Sequence, residues 1–82
     1  TIKEKINNLN NYKIQNDLNN YAILVHSLKS DSRYLGFTKL ADICLQHELK
    51  SKENDMTYIN NNFNLLLDEV KKVFNIVIRY MN

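Results

Sequence analysis

The sequence predicts an all-α protein, an antiparallel four-helix bundle with one short N-terminal helix and three main ones. Three observations carry that reading. The 82 residues include no proline and a single glycine, Gly36, which argues for long helices joined by short connections. Apolar residues recur at alternating spacings of three and four in successive stretches of the chain. Short polar segments separate those stretches, with Asn and Asp where helix caps are expected. A chain of this length supports one domain, 1–82, whose modest core requires nearly all apolar residues to share one interior. It opens on Thr1 instead of methionine and reads as a piece of a longer protein.

From Thr1 to Lys13, Ile2, Ile6 and Leu9, continued by Tyr12 and Ile14, describe a short helix weakened by asparagine pairs at 7–8 and 10–11. Asn16 or Asp17 then caps the second helix, a short side-chain oxygen taking up a free amide. That helix runs to about Tyr34, with Tyr21, Leu24, Val25, Leu28, Ser32 and Leu35 facing inward. Gly36 ends it, because glycine accepts positive φ and lets another backbone come close. Phe37, Leu40, Ala41, Cys44 and Glu48 share one face of a third helix ending near Leu49 or Lys50. Residues 51–55 read as a loop, with Asn54 or Asp55 as the next cap. The last helix carries Met56, Ile59, Phe63, Leu66, Val70, Val73, Val77 and Tyr80, widened by Leu67, Phe74 and Met81. Such a stripe also suits a coiled coil, but the preceding helices offer matching faces within the same chain.

Several function classes fall away on composition. Eleven basic and nine acidic side chains are interspersed and leave a net charge of only +2, so no basic stripe points to nucleic acid. No apolar run approaches the roughly 18 to 20 residues that span a bilayer, and the N-terminus lacks the pattern of a secretion signal. Cys44, the single cysteine, is expected to pack as a small core residue in a reducing compartment. A metal centre assembled from His26, Cys44, His47 and Glu48 would need partners from elsewhere, and none is expected. There is no glycine-rich phosphate loop, so ATP binding is not expected either.

What remains is one stretch of polar chemistry. At about 100° per residue, His26 points away from the apolar stripe of its helix, with Ala22, Lys29, Ser30 and Arg33 on its side. An imidazole in solvent beside a fixed cation suits the handling of a phosphoryl group. A lone surface histidine is usually solvated and nothing more; Lys29, Gly36 and Glu48 at these spacings set His26 apart. His47 has no such context and is expected to be solvated or to cover an edge of the core. Lys29 also reads as an ordinary surface lysine, and Glu48 as a half-buried carboxylate paired with a lysine. Ala22 and Ile23, exposed and apolar beside His26, suit a docking patch.

The pattern His26-x-Leu28-Lys29-small-x-Ser32-x-x-apolar-Gly36, followed by Leu40, a small residue at 44 and an acid at 48, resembles the histidine-containing phosphotransfer (HPt) domain. The segments Asp17-Leu18-Asn19-Asn20-Tyr21 and Glu53-Asn54-Asp55, the latter followed by a long helix, extend the resemblance over nearly the whole chain. The resemblance implies a phosphocarrier without kinase activity of its own, taking a phosphoryl group from an aspartate of one response-regulator receiver domain and passing it to another. His26 would be the phosphoacceptor through Nε2. Lys29 would offset charge on the incoming group, and Glu48 would orient the imidazole through Nδ1. Gly36 would keep the surface low for the docked receiver. Ser30, where the family usually has glycine, is still small enough for close approach, and contact of its hydroxyl with a phosphoryl oxygen is left open by the sequence. Arg33, one turn further along the same side, would meet an acidic rim on the partner or simply be solvated. No cofactor is implied for the domain itself, since Mg2+ belongs to the receiver. The expected setting is cytoplasmic, as an isolated monomer forming transient complexes, within a parent such as a hybrid sensor kinase that is itself soluble or membrane-anchored.

Two other readings compete. One is a helical interaction module that acts without phosphorylation. The other is the dimerising bundle of a kinase, which the four helices within this one chain disfavour.

Overall fold

The computed structural model describes residues 2–81, and their side chains as far as 79. Four helices follow in order: α1 (Ile2–Ile14), α2 (Leu18–Leu35), α3 (Thr38–Lys52) and α4 (Met56–Met81). No strand occurs among the described residues. The helices form an antiparallel ring in which α1 packs on α2, α2 on α3, α3 on α4 and α4 back on α1. The most extensive contact is between α2 and α3. At about 1.5 Å per residue the 26 residues of α4 span the 39 Å long axis of the molecule. No helix among the described residues is long and apolar enough to cross a membrane.

One device makes all three connections. Asn16, Gly36 and Asn54 adopt left-handed backbone, with φ of 55°, 84° and 59°. Each donates its amide to the carbonyl three residues back, at Lys13, Arg33 and Ser51. The following residue donates to the carbonyl five back: Asp17 to Tyr12, Phe37 to Ser32 and Asp55 to Lys50. These paired bonds form the Schellman closure, which satisfies carbonyls left over at a helix C-terminus. The next helix starts at once. Asp17 accepts from the Asn20 amide and Asp55 from that of Tyr58. In each Asn–Asp pair, therefore, the asparagine closes one helix and the aspartate opens the next. Phe37 fills the same place without a side-chain cap.

Gly36 is there for its backbone. An added Cβ would meet nothing within 4 Å, so the close approach within the chain expected from the sequence is not seen. Gly36→Ala is expected to cost about 1 kcal/mol through the left-handed φ alone. Gly36→Asn should cost less. Urea midpoints check this, and an unchanged midpoint for the alanine variant would refute it.

The core consists of Leu9, Leu18, Tyr21, Val25, Leu28, Leu40, Cys44, Ile59, Phe63, Leu66 and Val70. Leu9 is fully buried, and α1 is one unbroken helix despite its asparagines, because packing outweighs a weak intrinsic preference. Three expectations need correction. Ile14 and Leu35, read as apolar-face residues, are exposed, because each lies at a helix end where the chain turns away. Helix α3 does not stop at 49 or 50. It continues through Ser51 and Lys52, and Ser51 is buried with its hydroxyl donating to the His47 carbonyl at 2.6 Å. That local bond satisfies a polar side chain inside a helix. The loop is thereby reduced to residues 53–55. Of the expected α4 stripe, Ile59, Phe63, Leu66 and Val70 are buried, whereas the side chains of Tyr80 and Met81 lie outside those described.

Candidate functional site

The tight turn at Gly36 folds α3 back along α2, so residues far apart in sequence meet across this pair. Ser32, Ala41 and Cys44 are small and buried, which lets the helices lie close. Burial pushes the Cys44 thiol up to about 12, with smaller opposing effects from Lys29 and Glu48, so it stays an uncharged core group.

Across this interface His26 Nδ1 lies 2.8 Å from Glu48 Oε2, and Lys29 Nζ lies 2.5 Å from Glu48 Oε1. A second ammonium, Lys52 Nζ, reaches Oε2 at 3.2 Å from one turn further along α3. The carboxylate itself is 5% exposed. Burial raises its pKa, but bonds from Lys29 first, then His26 and Lys52, overcome that and bring it down to about 2. Glu48 is thus an anion at neutral pH and can only accept hydrogen bonds. The proton it meets sits on His26 Nδ1, which leaves Nε2 of the neutral ring with a free lone pair. The imidazole is 58% exposed, so the ring lies within reach of an incoming reactant.

Lys29 differs from a free surface cation. Its side chain is only 11% exposed, the stem lying along the α2–α3 interface and the head spent on Glu48. A buried carboxylate needs such a counter-charge. Ala22 and Ile23 line a shallow depression of about 310 Å³ together with His26, Glu48 and Lys52. Ser30 and Arg33 are exposed on the following turns of α2. Gly36 lies at the helix end, about 15 Å along the axis from His26. The structure therefore brings together His26, Lys29, Glu48, Ala22 and Ile23, and leaves Ser30, Arg33 and Gly36 strung out along α2 beyond them.

Lys52 was missed because residues 51–55 read as a loop. Once 52 is helical, Glu48 and Lys52 become an i,i+4 pair, the favourable order of acid before base. His47 was misplaced as well. It is 1% exposed, its Nδ1 2.9 Å from the Tyr21 hydroxyl and its ring edge-on to Tyr58. Residues 40, 44, 47 and 51 continue one three-and-four spacing, a signal that admits His47 to the inward stripe without supplying the partner that buries it. Burial pushes its pKa down to about 4, the Asn62 backbone opposing weakly, and Nε2 has no hydrogen-bond partner among the described residues.

A family model described as Hpt domain matches residues 1–75. Comparison with curated proteins and with solved structures gives no match. The family match covers all of α1, α2 and α3 and most of α4, the helices that build and support the His26–Glu48 pair. The chain belongs to the Hpt domain family, the histidine phosphotransfer modules of phosphorelays.

Proposed function

We propose that His26 is the phosphoacceptor, taking a phosphoryl group from the aspartate of one receiver domain and handing it to another. The observation that carries this reading is the 2.8 Å bond between Nδ1 and a Glu48 carboxylate that is ionised at neutral pH. In the step, the Nε2 lone pair attacks phosphorus, the N–P bond forms, and the P–O bond to the receiver's aspartate breaks. The carboxylate leaves with the bonding pair. The ring gains positive charge as the bond forms, and Glu48 on Nδ1–H stabilises it there. Return to a second receiver runs the same exchange in reverse. Little else is asked of this chain, because phosphoryl transfer depends on alignment and charge stabilisation. Mg2+ belongs to the receiver in this scheme. Lys29 serves by holding Glu48, while Ala22, Ile23 and, further along α2, Ser30, Arg33 and Gly36 offer the surface for docking. The complex is transient and the domain monomeric. The setting is cytoplasmic, within a parent such as a hybrid sensor kinase.

His26→Gln is expected to fold with stability within about 1 kcal/mol of wild type, as an exposed residue should, and to carry no phosphate. Incubation with a phosphate-loaded receiver, followed by mapping of the modified residue, is the test. Acid-labile phosphate on His26, absent from the variant, supports the reading. Phosphate on buried His47, or none on a folded chain offered a range of receivers, would refute it and favour an interaction module that acts without phosphorylation.

A further inference from the structure

Two lysines reach Glu48, and they are not equivalent. Lys29 is buried and its ammonium is committed to Oε1. Lys52 is 64% exposed, holds Oε2 at the longer distance of 3.2 Å, and shares that oxygen with His26. The depression beside the imidazole is lined by Lys52 and not by Lys29. Its other walls are the uncharged Ala22 and Ile23 and the Glu48 carboxylate, whose charge Lys29 already offsets from the buried side.

From these differences we infer that Lys52 is the cation that binds the phosphoryl group once it stands on His26, and that it protects the stored phosphate from water. This rests on the reading of His26 as phosphoacceptor. Before transfer Lys52 rests on Oε2. After transfer the ring is cationic, so Glu48 is drawn to Nδ1–H, while the phosphoryl oxygens carry up to two negative charges. The flexible, exposed stem of Lys52 lets its ammonium exchange one anion for the other at little cost. Lys29 cannot follow as readily, because its side chain is buried in the α2–α3 interface and Oε1 would lose its hydrogen-bond partner.

The consequence is a longer-lived phosphohistidine. Hydrolysis passes through a loose transition state that draws charge off the phosphoryl oxygens. A cation on those oxygens therefore holds the ground state more firmly than the transition state. Lys52 is a phosphate-binding residue in this scheme, and Lys29 a positioning residue.

Chemical phosphorylation by potassium phosphoramidate allows a test that needs no receiver. Nε2 attacks phosphorus and ammonia leaves. Wild type, Lys52→Gln and Lys52→Arg are loaded in this way, and the 31P resonance and half-life of the phosphohistidine are followed. Lys52→Gln is expected to melt like wild type, to shift the 31P resonance and to shorten the half-life about three- to tenfold, the worth of one partly exposed charge-assisted contact. Lys52→Arg should restore most of the lifetime. Loaded His26 with resonance and lifetime unchanged in Lys52→Gln would overturn this inference and leave the phosphoacceptor reading standing. Failure to load His26 in the wild-type chain, by phosphoramidate and by receivers alike, would overturn both.

Discussion

Glu48→Ala is expected to destabilise the domain by about 3 kcal/mol and to slow phosphotransfer on the order of 100-fold. The stability term arises because Lys29, 11% exposed, would be left in the α2–α3 interface without its counter-charge. Breaking a buried pair by removing one member typically costs about 3 to 5 kcal/mol, and water reaching this interface edge favours the lower end. In a domain of this size each kcal/mol corresponds to roughly 4–8 °C in Tm. The kinetic term arises because the imidazole, already 58% exposed, would lose the bond that selects its tautomer and fixes its ring plane. Glu48→Gln separates the two effects. The amide oxygen still accepts from Nδ1 but sets no charge against the ring, so transfer should slow less than in Glu48→Ala, while Lys29 loses its counter-charge and the fold weakens. Urea unfolding and receiver-to-domain transfer, measured on both variants, check this. If both unfold at the wild-type midpoint, Lys29 is not the buried counter-ion described above.

Acid should unfold the protein in two windows. The first belongs to His47, whose folded pKa of about 4 lies below its ordinary 6.5. The folded state holds the ring neutral, so the stability this provides is fully present above pH 6.5. It is lost as pH falls through 6.5 toward 4, where the unfolded chain binds a proton that the core resists. The gap corresponds to about 3 kcal/mol, an upper figure for a ring that keeps its Tyr21 partner. The second window belongs to Glu48, whose folded pKa of about 2 lies below its ordinary 4.5. Its contribution is present above pH 4.5 and is lost as pH falls through 2. His47→Gln keeps a polar partner for the Tyr21 hydroxyl but cannot titrate, and should abolish the slope between pH 6.5 and 4 while leaving the lower window. Urea midpoints at pH 7.5, 5.5 and 4 decide the matter. An identical slope in wild type and variant would show that His47 is not the group responsible.

The two histidines show how far a sequence can be read. His26 was legible because its surroundings are local: one helix, 100° per residue, and a polar face opposite Tyr21, Val25 and Leu28. His47 was not, because a lone polar residue at an inward spacing becomes a core residue only if another helix supplies a partner. Here that partner is Tyr21, 26 positions away. The same limit applied to Lys29. Helical geometry set it on the side of His26, but its long stem turns into the interface, toward a carboxylate that α3 delivers.

The pairing of His26 with Glu48 was implied by the family resemblance; by itself the sequence determined the helix count, the turns near residues 16, 36 and 54, and most of the apolar stripes. Those features follow from backbone preferences and periodicity, which act over a few residues. Only the tertiary structure decided which cation is buried and which stays exposed, how far α3 continues, and that His47 turns into the core. Burial and ion pairing depend on what the opposite helix presents, and that is set when the bundle closes.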